Sequence, residues 1–258
     1  MRVMEIFDRR AVRLHRDRAA GLVDRVAPVL QNAAERLVER LDDTTVRFSQ
    51  ALDVGGRGIV APLLRARGVG VVSCDLSARM AAINGGPGVA ADETRLPFGP
   101  GSFDLVVASL ALHWVDDLPG ALIQLRMALR PGGLLLASFP ALGTLAALRT
   151  ALTEAEHALT GGASPRVSPF PDGSDLAGLM QRAGFALPVV DVETITLSYG
   201  DPLALLHELR AAGEANAVAL RSRMVPKRAL FAAALGAMEQ SGRTPATLRV
   251  ATVTGWHP

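Results

Sequence analysis

A single cysteine, Cys74, excludes an internal disulfide and leaves no thiolate cluster for a metal. It lies inside an apolar strand pattern, which predicts a buried, inert thiol. The five histidines are scattered without ligand spacing, so no metal site is expected. Lysine is almost absent: Lys227 stands alone, and arginine supplies the rest of the positive charge. The net charge is only +2, and no dense basic stripe alternates with aromatics, which make up 4% of the chain. Nothing therefore points to nucleic acid as a partner. No uncharged apolar run reaches the ~18 residues of a membrane span, so no integral membrane segment is expected. The opening MRVMEIFDRRAVRLHRDRAAG is basic in part like a targeting peptide, but Glu5, Asp8 and Asp17 interrupt it and it has no apolar signal core. It reads as a structured amphipathic arm of a cytoplasmic protein, its arginines facing solvent, a partner or the periphery of an acidic membrane.

What is present suits one large α/β domain: 258 residues, 49% of them hydrophobic, can build a sizeable core. Residues 3–43 look helical, with Val26, Val29, Leu30, Ala33, Leu37 and Leu41 at helical spacing. They form an N-terminal helical arm over 1–45, ahead of an α/β domain over 46–258 with elaborations at 140–180 and 200–245. Short apolar strands are predicted at Ala51–Val54, Val69–Cys74, Val89–Ala91, Phe103–Ser109 and Leu134–Phe139, with helices at Ile59–Ala66, Ala78–Ala82 and Leu118–Leu129 between them. Near-continuous apolar strands between helices indicate a mostly parallel sheet covered on both faces. Beyond Phe139 the pattern predicts helices at Leu142–Leu159, Ser174–Arg182, Leu203–Leu209, Ala215–Arg223 and Ala229–Gln240, and strands at Val189–Leu197 and Leu248–Gly255. Pro165, Pro169 and Pro171 make GGASPRVSPFPDG a loop.

The chemistry concentrates at strand ends. Gly55, Gly56 and Gly58 follow the first strand, where glycine admits positive φ and lets a ligand approach the backbone. The next helix start adds free N–H donors. Asp75 ends the second strand, where a carboxylate can hold a ribose diol; its other reading is a helix cap. Asp53 opens the glycine turn and either orients the loop or meets a cationic ligand group. Asp92 and Glu93 follow the third strand; Asp92 reads as a ligand contact, Glu93 as a solvated acid beside it. Ser109, His113 and Trp114 lie at or just past the end of the fourth strand, where substrates approach open sheets. His113 is the first candidate for a base or a polar substrate contact. Trp114 could stack on a ligand or seal the pocket.

The run LDVGGRG, CDLS, ADETRLPF, FDLVVASLALHWVDDLP and LRPGGLLLASF over residues 51–139 resembles class I S-adenosylmethionine-dependent methyltransferases. The resemblance implies a Rossmann-like, seven-stranded, mostly parallel sheet with an antiparallel last strand. It also implies S-adenosylmethionine as cofactor. Asp53 and Gly55–Gly58 would border its methionine end, Asp75 its ribose, Leu76 the adenine and Asp92 the adenine amino group, with Glu93 in the same set and Ser109 to His113 lining the pocket. The family turn is Asp/Glu-x-Gly-x-Gly-x-Gly; here Asp53-Val-Gly-Gly-Arg-Gly58 is one residue shorter, so Arg57 enters a region meant for a sulfonium cation. Like charge there is unfavourable unless the guanidinium points outward or meets the cofactor carboxylate.

EIFDRRAVRLHRDRAA, LHWVDDLPGAL, the GGASPRVSPF loop, LRAAGEANAV and ATLRVATVTGW narrow the resemblance. They look like the complex I assembly factor family that hydroxylates an arginine on an iron–sulfur subunit, and the chain is also similar to the carrier-protein O-methyltransferase of biotin synthesis. Three functions follow: methyl transfer to a small-molecule or protein substrate, arginine hydroxylation on a respiratory complex I iron–sulfur subunit, or non-catalytic assembly. For methyl transfer, His113 would be the base, with Tyr199, Glu214 and Asn216 as catalytic or substrate contacts. For hydroxylation, Glu214 could pair with a substrate guanidinium; by itself it reads as a solvent-facing helix residue.

Overall fold

The computed structural model describes residues 5–258. Its apolar runs become a seven-stranded sheet in the order β3-β2-β1-β4-β5-β7-β6. The strands are β1 (Gln50–Val54), β2 (Gly70–Asp75), β3 (Gly88–Ala90), β4 (Phe103–Ser109), β5 (Leu129–Pro140), β6 (Ala186–Tyr199) and β7 (Thr244–Trp256). β1 pairs parallel with β2 and β4, β2 with β3, and β4 with β5, while β7 runs antiparallel to both β5 and β6. The sheet is thus parallel except for its last strand, as the resemblance implies. Strand order reverses between β1 and β4, and their C-terminal ends open the crevice where such sheets bind ligands.

Helices α1 (Arg9–Ala19), α2 (Ala27–Glu39), α3 (Val60–Ala66), α4 (Ala78–Ala82) and α5 (Leu118–Ala128) belong to the first half. α6 (Ala146–Thr160), α7 (Gly173–Arg182), α8 (Pro202–Ala211) and α9 (Arg228–Met238) follow. One face of the sheet buries Ala51, Leu105, Val107 and Leu136 against Leu37 and Val38 of α2 and Val60 and Leu64 of α3. The other buries Leu52, Val106, Ala108 and Leu135 against Leu122 and Leu125 of α5 and Leu176 and Met180 of α7. Cys74 lies in that second core, and burial pushes its thiol well above the usual range. α6, α8 and α9 close over Leu197 and Ala246 with a core of their own, including Leu148, Leu152, Leu205, Leu230 and Leu235.

Three expectations need correction. The helical stretch 3–43 is broken within its described part: a 3-10 turn at Val23–Arg25 separates α1 from α2, which starts with Pro28 in its first turn, and Arg40–Asp43 is a second 3-10 turn. Ala215–Arg223 is not a helix. Gly213, at φ +82, ends the preceding turn, the Asn216 side chain accepts from the Val218 N–H at 3.0 Å, and Val218 bridges to Phe7. These local and long-range bonds compete with helix formation. β6 and β7 are also longer than their apolar cores, because they pair from Ala186–Trp256 to Tyr199–Thr244.

Candidate functional site

The end of β1 delivers Asp53 and the glycine turn to the crevice. Gly55 has φ +64, and a Cβ there would lie 2.7 Å from the Ala111 Cβ. A Cβ on Gly56 would lie 2.1 Å from the Asp53 carboxylate, which folds beneath the turn. Asp53 is fully buried; Ser73 Oγ donates to one oxygen at 3.2 Å and the other has no partner among the described residues. Burial, with the nearby Asp75 charge adding to it, pushes its carboxyl up to about 7. Gly58 donates to the Asn84 side chain at 2.9 Å.

Arg57 points neither outward nor into open space. It adopts φ +51 and turns a buried guanidinium inward. Its nitrogens donate to the carbonyls of Ser109 (3.2 Å), Leu110 (3.0 Å) and Ala212 (3.2 Å), and it pairs with Glu214. Burial and the Arg16 charge lower its pKa to about 10, so it stays cationic at neutral pH. Ser109 is buried beside it and contributes its carbonyl to this hold.

Glu214 is therefore a hub rather than a solvated helix residue, and the guanidinium it grips is the chain's own. Its Oε2 meets His113 Nε2 at 2.7 Å and accepts from Trp114 Nε1 at 2.7 Å. Burial opposes its ionisation, but His113, Arg57 and Arg16 outweigh that and hold the carboxyl well below the usual range. His113 is buried and its Nδ1 has no partner among the described residues. An imidazole that donates Nε2–H to Glu214 leaves a bare lone pair on Nδ1. Trp114 is buried edge-on against Phe7, with ring centroids 5.3 Å apart, and Leu76 packs on the same cluster.

The other acids are covered by α1. Asp75 Oδ1 accepts from the Ser77 N–H at 2.8 Å, an Asx bond just ahead of α4, whose cap is Ser77 rather than Asp75, while Oδ2 accepts from Arg16 Nη1 at 2.9 Å. Arg9 reaches Asp92 at 3.1 Å and also pairs with Glu93. Asp92 further accepts from the Thr94 N–H and hydroxyl. Glu93 is buried, contrary to its reading as a solvated acid. Sequence reasoning missed Arg9 and Arg16. The available signal was Arg16 standing in the stripe of Val12 and Ala19, which are buried with it.

Beyond Arg57 and Glu214 lies a cavity of about 1100 Å³. Leu148, Leu152, Leu205, Leu206, Phe231 and Leu235 line much of it, and Leu110, His113 and Trp114 bring the end of β4 to its wall. Tyr199 and Asn216 also line it. Tyr199 donates its hydroxyl to Glu208 at 2.7 Å, and burial with that carboxylate pushes its ionisation up. Asn216 donates to the Pro165 carbonyl at 2.9 Å and ties the proline loop to the segment after α8. The cavity lining does not include Asp75, Leu76, Asp92 or Glu93. Among the described residues no cluster of His, Cys, Asp and Glu could hold a metal ion.

This sheet order, with a glycine turn after β1 and an acid ending β2, defines a class I methyltransferase fold. A family model described as a methyltransferase domain matches residues 26–188, and the chain belongs to that family. The chain is 33% identical over 268 residues to the mitochondrial arginine-hydroxylase NDUFAF5 of Danio rerio, covering 99% of this chain and 84% of that protein. The human protein of that name is 35% identical, with 99% and 78% covered. A malonyl-[acyl-carrier protein] O-methyltransferase of Laribacter hongkongensis is 35% identical, with 97% and 90% covered. Among solved structures, a SAM-dependent methyltransferase of Thermotoga maritima shares the fold at 17% identity and TM-score 0.53, with 96% of this chain and all of that one covered.

S-adenosylmethionine is the cofactor of this family and fold. The donor set here fits it: Asp75 stands where a ribose diol would be held, Gly55 offers backbone without a Cβ, and Asp92 and Glu93 follow β3. α1 covers this acid: Asp75 is only 2% exposed beneath Arg16.

Proposed function

We propose that this chain is an S-adenosylmethionine-dependent methyltransferase whose acceptor, a small molecule or a protein side chain, binds in the apolar cavity and loses its proton to His113. The His113–Glu214 contact at the cavity wall carries this reading. Glu214 orients the imidazole, as an orienting carboxylate does for a histidine base. Asp75, Gly55 and Asp92 would hold the cofactor, which supplies a methyl group on a good leaving group. The remaining work is alignment and exclusion of water by the apolar walls. Tyr199 and Asn216 would contact the acceptor from the walls.

A second reading is hydroxylation of an arginine on an iron–sulfur subunit of respiratory complex I. Whole-chain similarity to proteins named arginine-hydroxylase favours it. Calorimetric titration with S-adenosylmethionine, repeated on Asp75→Ala, tests the shared cofactor site. Binding that disappears in the variant supports it; no binding by folded wild-type chain sinks it and leaves partner binding without turnover. Product mass then separates the chemistries: a gained methylene means methyl transfer, a gained oxygen hydroxylation. For location we propose the periphery of a membrane; no described helix is long and apolar enough to cross one.

A further inference from the structure

The three most exposed large apolar side chains among the described residues sit together on one loop: Leu220 (79%), Met224 (82%) and Val225 (92%). Water contact for such side chains is unfavourable, and apolar surface gathered in one place marks an interaction site. Arg221, Arg223, Lys227 and Arg228 stand among them, and no acidic residue occurs between Glu214 and Glu239. Lys227 and Arg228 are in no ion pair among the described residues, while Arg221 and Arg223 share Asp8. The surface continues onto α9, whose outward positions Ala229, Ala232, Ala233, Gly236 and Ala237 carry no charge. A surface that faces only water interleaves charges of both signs; this one shows cations and hydrocarbon.

An occupant must therefore offer negative charge and accept apolar side chains within the same few residues. An anionic lipid bilayer does both: headgroups meet the cations while Leu220, Met224 and Val225 enter the acyl boundary. The position of the loop favours lipid over an acidic protein. Arg221, Met224, Pro226 and Arg228 belong to the lining of the apolar cavity, as do Phe231 and Leu235 behind them. The docking surface and the cavity rim are one continuous structure, so hydrocarbon on one side leads to hydrocarbon on the other.

We infer that residues 219–228 with the outer face of α9 dock this protein on an anionic lipid bilayer, with the cavity opening toward the acyl chains. This specifies the membrane face of the location proposed above and does not depend on which group the enzyme transfers.

Flotation of the full chain with vesicles tests it. The wild-type chain should rise with phosphatidylcholine vesicles containing phosphatidylglycerol and stay behind with phosphatidylcholine alone. The double variant Met224→Asp/Val225→Asp should bind the mixed vesicles at least about tenfold more weakly, because charge replaces the inserting side chains. Lys227→Glu should lose at least roughly fivefold. These side chains are exposed, so circular dichroism and melting should not change. Wild-type chain that ignores anionic vesicles overturns the inference and leaves an acidic protein as the occupant. A double variant that floats like wild type also overturns it, by placing the contact on another face. Cofactor titration of the same samples, without and with vesicles, keeps the two readings apart: a chain that floats but binds cofactor in neither condition fails the functional reading and leaves this one standing.

Discussion

Arg16 Nη1 lies 2.9 Å from Asp75 Oδ2, and both side chains are 2% exposed. The acid best placed to hold a ribose thus already has a cationic partner, carried on α1. Burial works against the charge on Arg16, but Asp75, Glu214 and Glu93 outweigh it and raise its pKa. Removing one partner of such a pair leaves a buried, unsatisfied charge, at a typical cost of about 3–5 kcal/mol.

Arg16→Met keeps an unbranched, though shorter, apolar side chain and removes the charge. Its melting temperature without cofactor should fall well below wild type. Added S-adenosylmethionine should recover more of it than it gives wild type, since the ribose then satisfies Asp75 without competition. Equal shifts in the two proteins would show that Arg16 does not guard the site.

Arg57→Gly sets two effects against each other. Glycine relieves the positive φ, worth roughly 1 kcal/mol. It also strands the Ser109, Leu110 and Ala212 carbonyls and one side of Glu214, at about 1–3 kcal/mol for each buried group left unsatisfied. The second effect is larger, so urea denaturation should show a net loss of stability. A gain would mean that the shortened turn is strained beyond what its bonds repay.

Asp53 binds its proton more tightly folded, near 7, than at the ordinary value of 3.8. Its contribution to stability is thus fully present below the unfolded value, is lost as pH rises between those two values, and is level above them. The loss is of order a few kcal/mol. Asp53→Asn should remove that slope, so it should gain most over wild type at about pH 8 and least at about pH 4. Parallel pH curves for the two proteins would refute the assignment.

His113→Ala should lower turnover at saturating cofactor by roughly 10²–10⁴, the usual worth of a general base. Glu214→Gln should lower it too and also destabilise the chain, because Arg57 loses the one carboxylate within hydrogen-bonding distance among the described residues. Near-normal turnover in His113→Ala would dismiss it as the base and leave Glu214 a structural hub.

The centre of the sheet was legible because β1, β4 and the second half of β5 are buried on both faces and read as apolar runs between helices. Asp75 and the glycine turn were legible for a similar reason: position at a strand end limits what such residues can do. The hub at Glu214 was not. Its partners lie 100, 101 and 157 residues away in sequence, and no local pattern records such contacts. Glu214 was read as helical because Ala215–Arg223 has helical composition, whereas the Phe7–Val218 bridge pulls that segment straight. The direction of Arg57 was equally hidden, since a shortened turn leaves the side-chain path to tertiary contacts.

The helix that covers Asp75 begins at Asp8, whose carboxylate Arg221 and Arg223 hold at 2.8 and 3.2 Å. The bond from Arg221, with the Ala11 N–H, brings that carboxyl down to about 2. Those arginines belong to the loop that faces lipid, and a headgroup phosphate competes with Asp8 for them. A chain whose cofactor-competent form is populated only about 1% of the time binds roughly a hundredfold more weakly than that form alone. If lipid drew the arginines away, one tie on α1 would loosen and that fraction would rise, so the dissociation constant for S-adenosylmethionine should fall when anionic vesicles are present. Linkage makes the effect mutual: a chain loaded with cofactor should also leave the bilayer more reluctantly.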